Sequence, residues 1–281
     1  SPDRRACWHF YGFRFMKKSL APRQEKILTI VLWMVTVLSA LPLLHYGRRA
    51  LVCDSFIVKG HSMDPTMAQG KRVRVNKLLM GPRIYRSFSF GPDDALDCFR
   101  IPGIRRLRVG DIAIFNSPRG WTDTCINFRI NYVFAKRCVG IPGDSVSVVA
   151  SRYVNSRSAE TGVPATNEKK LASYPDSVLL AAGVLRAGHF AGMDDRWTIK
   201  DFGPLLVPAR GMRIRMDGDN LALYKDVMEY ETGRPCTEWK GRIYEFREDY
   251  YFFAGDNVLD SRDSRYMGFV PEKFVIGVVP L

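Results

Sequence analysis

The segment Phe134-Ala135-Lys136-Arg137-Cys138-Val139-Gly140-Ile141-Pro142-Gly143-Asp144 runs an apolar strand into a Gly-Ile-Pro-Gly-Asp turn, with a lysine inside the strand. Apolar residues bounded by glycine and proline read as β structure. A charge in such a strand needs a physical reason. If the Lys136 amine is desolvated its pKa falls, and moving it from about 10.4 to near 7 or 8 takes roughly 3 to 4.5 kcal/mol of environment. A neutral amine there would serve as a general base. Taken alone, the pattern is also that of a lysine snorkelling from a strand edge.

The same punctuation recurs outward from this point. Short runs rich in Val, Ile, Phe and Tyr alternate with Gly-Pro, Pro-Gly, Gly-Asp and Asp-Gly pairs, predicting strands at 55–58, 112–115, 132–135, 145–149, 213–216, 250–254 and 275–279. The expected fold is therefore mainly β. Two stretches break the rhythm, 81–108 and 150–211, and read as insertions; the second is polar, has one helical-looking piece and is expected to build a subsidiary lobe.

Two further segments carry chemistry. Gly60-His61-Ser62-Met63-Asp64-Pro65-Thr66 follows the apolar run Phe56-Ile57-Val58 and exposes a serine at a strand end. Gly60 allows close approach of another backbone and Pro65 stiffens the turn; an ordinary β-turn serine fits the same wording. Gly255-Asp256-Asn257-Val258-Leu259-Asp260-Ser261-Arg262-Asp263-Ser264-Arg265 follows the aromatic strand Tyr250-Tyr251-Phe252-Phe253 and reads either as a hydrogen-bonded brace or as a long Asx-rich turn.

Ahead of these lies an uncharged run at 27–44, whose eighteen residues as a helix cover roughly 27 Å, enough to cross a bilayer core. Seven Lys or Arg residues between Arg4 and Lys26 precede it. This divides the chain into a basic tail at 1–26, one transmembrane anchor at 27–46 and an ectodomain at 47–281. By the positive-inside rule the tail is expected on the cytoplasmic side and the ectodomain outside, a bias that Arg48 and Arg49 weaken without reversing. A cleavable signal peptide and a buried helix of a soluble domain are the competing readings of the run.

Charge decides less. The 281 residues carry a formal net charge of +13, which suits nucleic acid, anionic lipid or acidic substrates alike. Six cysteines suggest three disulfides until topology is considered: Cys7 falls on the reducing side, and the other five, Cys53, Cys98, Cys125, Cys138 and Cys236, cannot all pair within one chain. No CxxC or Cys/His cluster points to zinc, and no metal site is expected.

In order and wording the three chemical segments resemble the signature boxes of bacterial type I signal peptidases, also called leader peptidases. Arg108-Val109-Gly110-Asp111-Ile112-Ala113-Ile114-Phe115 is similar to the family's strand between them, and the N-terminal anchor fits as well. The resemblance runs from Phe56 to Val270 with gaps, and the insertions match poorly. It implies a signal-peptidase-like antiparallel ectodomain in which Ser62 is the nucleophile and Lys136 the general base. By the same carry-over Ser261 orients the Lys136 amine, Asp263 and Arg265 form a bracing ion pair, and Asp256 ties its loop to Arg137 or a neighbouring turn. The backbone N–H of Ser62 would hold the oxyanion, and where some relatives place a hydroxyl residue this chain has Gly60.

The resemblance further implies acyl transfer without metal or cofactor, on exported preproteins cut after small residues of an Ala-x-Ala type. The substrate would lie extended beside Phe56, Val58, Tyr132, Phe134 and Ala135. The expected place is the bacterial inner membrane with the catalytic domain on its outer side, lipids as neighbours and no nucleic-acid partner. His61 is the one rival base, but a residue adjacent in a strand-turn points away from its neighbour. Two other classes compete: a DNA-linked Ser/Lys autopeptidase, for which the first 55 residues leave no room for a helix-turn-helix beside the apolar run, and a noncatalytic membrane-tethered module, which intact Ser62 and Lys136 oppose.

Overall fold

The computed structural model describes residues 22–87, 96–120, 124–186, 188–190 and 197–280. The basic stretch up to residue 21, with Cys7, and residues 88–95 of the first insertion lie outside the described residues. The chain forms two compact units, Ser1–Tyr46 and Gly47–Leu281.

Helix α1 spans Pro22–Leu51, 30 residues none of which is buried. At 1.5 Å per residue it is about 45 Å long, more than the roughly 30 Å of a hydrocarbon core. It outruns the uncharged segment at both ends because the flanking Arg, Gln, Glu and Lys residues are good helix formers. Glu25 in its first turn and Arg48 and Arg49 in its last complement the helix dipole.

The second unit is built on a seven-stranded antiparallel sheet. Its strands are β1 (Cys53–Ile57), β2 (Arg72–Asn76), β5 (Ile112–Asn116), β6 (Val133–Gly140), β12 (Tyr250–Ala254), β13 (Val270–Pro271) and β14 (Val275–Val279). They lie in the order β1-β2-β14-β5-β6-β12-β13. Every residue of β5, β12 and β14 is buried, so these strands read in sequence as unbroken apolar runs.

Alternation sorts the side chains between two cores. Ala113, Phe115 and Cys138 enter the larger one, where Phe115 stacks on Phe253 at 4.3 Å between ring centroids. Ile112 and Ile114 point the other way, into a smaller cluster with Val58, Met63, Met67, Val73, Val75, Ile276 and Val279. Burying each of these aliphatic side chains contributes about 1.5–3 kcal/mol. Met63 and Met67 are therefore what fastens the turn that carries Ser62 to the sheet.

The expected insertions are less separate than the sequence suggested. In the first, β3 (Arg83–Tyr85) pairs with β4 (Cys98–Arg100), and the Arg83 and Arg100 guanidiniums donate to the carbonyls of Lys273, Phe274, Glu272 and Val275. In the second, β8 (Arg152–Asn155) and β9 (Phe202–Leu206) flank β7 (Ser145–Val149) in one three-stranded sheet. Between them lie α2 (Ala165–Ser173) and α3 (Asp176–Ala181), two helices where one was expected.

Further helical structure lies beyond position 211, outside the stretch assigned to a lobe. After β10 (Arg213–Arg215) come α4 (Gly218–Leu223), α5 (Lys225–Thr232) and a 3-10 turn at Cys236–Trp239, then β11 (Ile243–Glu245), which pairs with β10. The signals were present: Asp217 caps α4 by accepting from the Asn220 N–H, and Gly233 ends α5 at φ 66°. One more short helix, α6 (Ser264–Met267), sits in the loop after β12. The five described cysteines are all free thiols.

Candidate active site

The turn at 60–67 is set by its own backbone. The Asp64 N–H donates to the His61 carbonyl at 3.1 Å and the Met67 N–H to the Met63 carbonyl at 2.9 Å, while Gly60 stands at φ +83°, a left-handed conformation that disfavours any side chain there. The hydroxyl residue of some relatives would thus be strained at this position, although nothing lies within 4 Å of a Cβ built on Gly60. Ser62 is half-buried, and its N–H has no acceptor among the described residues.

Lys136 reaches this turn from the middle of β6, where it pairs with Ala113 of β5. It is 2 % exposed, and its Nζ lies 2.5 Å from Ser62 Oγ and 5.7 Å from the centre of the Phe134 ring. Burial pushes the amine down to about 8; the Asp263 carboxylate works against that fall and Arg265 with it. At this value a large share of the amine is neutral at mildly alkaline pH and able to take a proton.

His61 is turned elsewhere. Its Nδ1 lies 2.8 Å from Asp64 Oδ2 and its side chain is 57 % exposed. His189 of the second insertion is likewise engaged, 3.2 Å from Asp226, with burial lowering its pKa to about 4.

Two buried ion pairs flank the contact between Ser62 and Lys136. The Arg137 Nε and Nη2 donate to Asp256 at 2.7 and 2.6 Å, Arg137 Nη1 donates to the Gly110 carbonyl, and Thr66 Oγ1 donates to Asp256 at 2.5 Å. Asp263 is fully buried and accepts from the Gly255 N–H at 3.0 Å and from Arg265 Nε and Nη2 at 2.9 and 3.0 Å. Burial alone would raise the Asp263 pKa, but Arg265 and the N–H donors overcome it and hold the carboxyl below its ordinary value. Arg265 also sits over the rings of Tyr153 and Tyr266, so β8 helps to enclose it.

The loop of Asp256 and the turn of Ser62 are joined directly: the Asn257 N–H donates to the Ser62 carbonyl at 3.1 Å, and Asn257 Nδ2 to the His61 carbonyl at 3.2 Å. Ser261 comes to the same place, yet its hydroxyl has no hydrogen-bond partner among the described residues. The expected bond from Ser261 to the Lys136 amine is therefore not formed, the amine being directed at Ser62. Ser261 instead fills the space beside Gly255, where a Cβ would come within 2.0 Å of its Oγ and 2.7 Å of the Ser62 carbonyl oxygen. Gly255→Ala is expected to cost about 1–3 kcal/mol, since that backbone oxygen cannot move without dragging the turn; thermal unfolding of the variant checks this.

The residues expected to bind an extended chain fall in two groups. Phe56, Val58 and Ala135 gather round the smaller core with Met63, beside the serine. Phe134 packs against the larger core under Lys136, and Tyr132 is exposed, one residue before β6, with the Arg129 guanidinium 5.9 Å from its ring. β12 pairs with β6 only at Arg137, Cys138 and Gly140, and β1 is an edge strand of the sheet. Among the described residues no cluster of His, Cys, Asp and Glu could hold a metal ion.

Asn167 and Thr66 were not singled out in the sequence. Thr66 lay in plain view, four residues after Ser62. Asn167 Nδ2 donates to the Asp64 carbonyl at 3.0 Å and the Asp256 carbonyl at 2.7 Å from a helix about 100 residues away in sequence, and no local pattern announces it.

Residues 29–281 match the sequence profile of the family described as signal peptidase, peptidase S26. The chain belongs to this signal peptidase family. Among curated relatives, signal peptidase I of Buchnera aphidicola subsp. Schizaphis graminum is 25% identical over 82% of this chain and 67% of its own length. Signal peptidase I of Pseudomonas aeruginosa is 26% identical over 82% of this chain and 64% of its own length, and signal peptidase I T of Bacillus subtilis 24% identical over 86% and 77%. A crystal structure of a signal peptidase I from Enterococcus faecalis matches 63% of this chain and 100% of that chain at 22% identity, with a TM-score of 0.28.

Proposed function

We propose that this signal peptidase family member is a membrane-anchored serine endopeptidase that removes signal peptides from exported preproteins through a Ser62/Lys136 dyad. The observation that carries the reading is the 2.5 Å approach of a buried lysine amine to a turn serine. Among the described residues the two histidines of the second unit are engaged elsewhere, His61 with Asp64 and His189 with Asp226.

In the reaction, Lys136 takes the Ser62 proton as the oxygen attacks the scissile carbonyl, then returns it to the leaving amine. The same amine next activates water to release the acyl-enzyme. With no acceptor for it among the described residues, the Ser62 N–H would receive the oxyanion, while the Gly60 position supplies no side-chain donor. Arg137–Asp256 and Asp263–Arg265 keep the Lys136 strand and the 255–265 loop in fixed relation. The substrate lies extended along the side of β6 that β12 leaves open and the edge of β1, its small side chains meeting Phe56, Val58 and Ala135.

α1 is long and apolar enough to cross a membrane. The basic tail before it favours a cytoplasmic N-terminus and an ectodomain at 47–281 on the far side, where exported chains emerge.

Cleavage of a preprotein whose signal ends in Ala-x-Ala by the detergent-solubilised chain, with the cut mapped by mass spectrometry, tests the reading. The expected cut is after the second alanine, and a chain that leaves the preprotein whole returns weight to a noncatalytic module. The rate should also rise with pH to a midpoint near 8, because only the neutral Lys136 amine accepts a proton. A midpoint near the ordinary lysine value would show that the amine is not desolvated in the working enzyme.

A further inference from the structure

The second insertion does more than decorate the sheet. Helix α2 is held to the body through Leu171, which is fully buried, and Glu168, whose Oε1 accepts from the Tyr153 N–H of β8 at 3.0 Å. Asn167 lies one position before Glu168 and four before Leu171, hence on the side that faces inward. Both acceptors of its Nδ2 are backbone carbonyls, so one nitrogen ties two chain segments at once.

Those two segments are the ones whose relative position sets the dyad. Asp64 belongs to the turn of Ser62. Asp256 precedes Asn257, which holds the Ser62 and His61 carbonyls, and its side chain grips Arg137, the neighbour of Lys136 on β6. The loop entering α2 reinforces the arrangement: Gly162, at φ +77°, lets the chain pass so close to Arg137 that a Cβ would meet its Nη1 at 3.2 Å.

We propose that Asn167 is a positioning residue that holds the Ser62 turn in line with Lys136 by bridging the Asp64 and Asp256 carbonyls, which makes the 150–211 segment part of the active-site machinery. This inference rests on the dyad reading given above. A misplacement of about 1 Å at a reacting group costs on the order of 100-fold in rate, so loss of the bridge falls on the chemical step rather than on substrate capture.

The test uses the full chain in detergent and a preprotein with an Ala-x-Ala signal, comparing wild type, Ser62→Ala, Asn167→Ala and Asn167→Gln. Rates are normalised to folded protein by circular dichroism and thermal unfolding. The expected result is a silent Ser62→Ala, an Asn167→Ala with kcat lowered about 10- to 100-fold and KM within about twofold of wild type, and an Asn167→Gln that recovers part of the loss because it keeps the amide donor. The acid limb of the pH profile should stay where Lys136 places it in wild type. A silent Ser62→Ala with wild-type kcat per folded molecule in Asn167→Ala would overturn the positioning role and leave the dyad standing. A loss accounted for by unfolded protein alone, or Asn167→Gln no better than Asn167→Ala, overturns it as well. Cleavage surviving in Ser62→Ala would remove the dyad reading itself, and the positioning role with it.

Discussion

Replacing Lys136 by methionine is expected to abolish preprotein cleavage while making the protein more stable at neutral pH. The activity loss follows from the loss of the amine that hydrogen-bonds Ser62 Oγ. Removing one member of a nucleophile–base unit costs on the order of 10⁴- to 10⁶-fold in turnover, and Ser62→Ala should cost about as much, since the two act as one device. The gain in stability follows from burial. Holding a lysine at about 8 rather than 10.5 requires about 3 kcal/mol of unfavourable environment for its charged form. Below pH 8 the amine is charged in both the folded and the unfolded chain, and that penalty is borne in full. Between about 8 and 10.5 the unfolded chain binds more protons than the folded one, so stability rises with pH and the penalty fades. Methionine fills nearly the same space without the charge. Chemical denaturation at pH 7 and again at pH 10 should therefore show an advantage for Lys136→Met that shrinks at the higher pH. An equal advantage at both would mean that the amine is not the cause.

The second large effect is expected at the brace. Asp263→Ala leaves Arg265 buried with its charge unpaired; Arg265 is 3 % exposed and Asp263 fully buried. Breaking such a pair from one side costs about 3–5 kcal/mol, a large fraction of what holds a domain together. Activity should fall with it, because the Gly255 N–H loses its acceptor and the 255–261 loop its anchor against the Ser62 turn. Adding Arg265→Met to Asp263→Ala should recover part of the stability, since the stranded charge is then gone. A double variant no more stable than the single one would place the cost in the loop hydrogen bonds instead. The pair resists acid: Asp263 titrates below the ordinary carboxylate range, so its stabilisation persists above that range and is lost as pH falls through its folded value.

Both of these sites can be recognised from sequence in the same way. Ser62, Lys136, Asp256, Asp263 and Arg265 stand in segments whose wording is locally constrained: a lysine in an apolar strand, a serine in a Gly/Pro turn, short polar residues after four aromatics. The β class was equally legible, because buried strands such as Tyr250–Ala254 and Val275–Val279 write their burial directly as unbroken apolar runs. The charge-free run at 27–44 likewise announced α1, which runs a few residues past it at each end because charged helix formers continue a helix without adding to its apolar signal.

The remaining features were beyond local reading. The helices at Gly218–Leu223 and Lys225–Thr232 are short and carry too few apolar residues to show a helical period, which left only the Asp217 and Gly233 caps to mark them. Ser261 reached the site without bonding Lys136, because where a hydroxyl points depends on the packing of Gly255 and Ser62 around it.

What the sequence by itself determined is therefore the class of fold, the membrane-length helix and the candidate residues for Ser/Lys chemistry, since these depend on periodicity and on the intrinsic chemistry of side chains. What only the tertiary structure decided is that Lys136 lies against Ser62, that His61 turns to Asp64, and that Asn167 reaches from a distant helix to tie the Ser62 turn to the Asp256 loop. The lowered Lys136 pKa belongs with these: it is a property of the buried site, which exists only once segments some 70 to 200 residues apart have packed together.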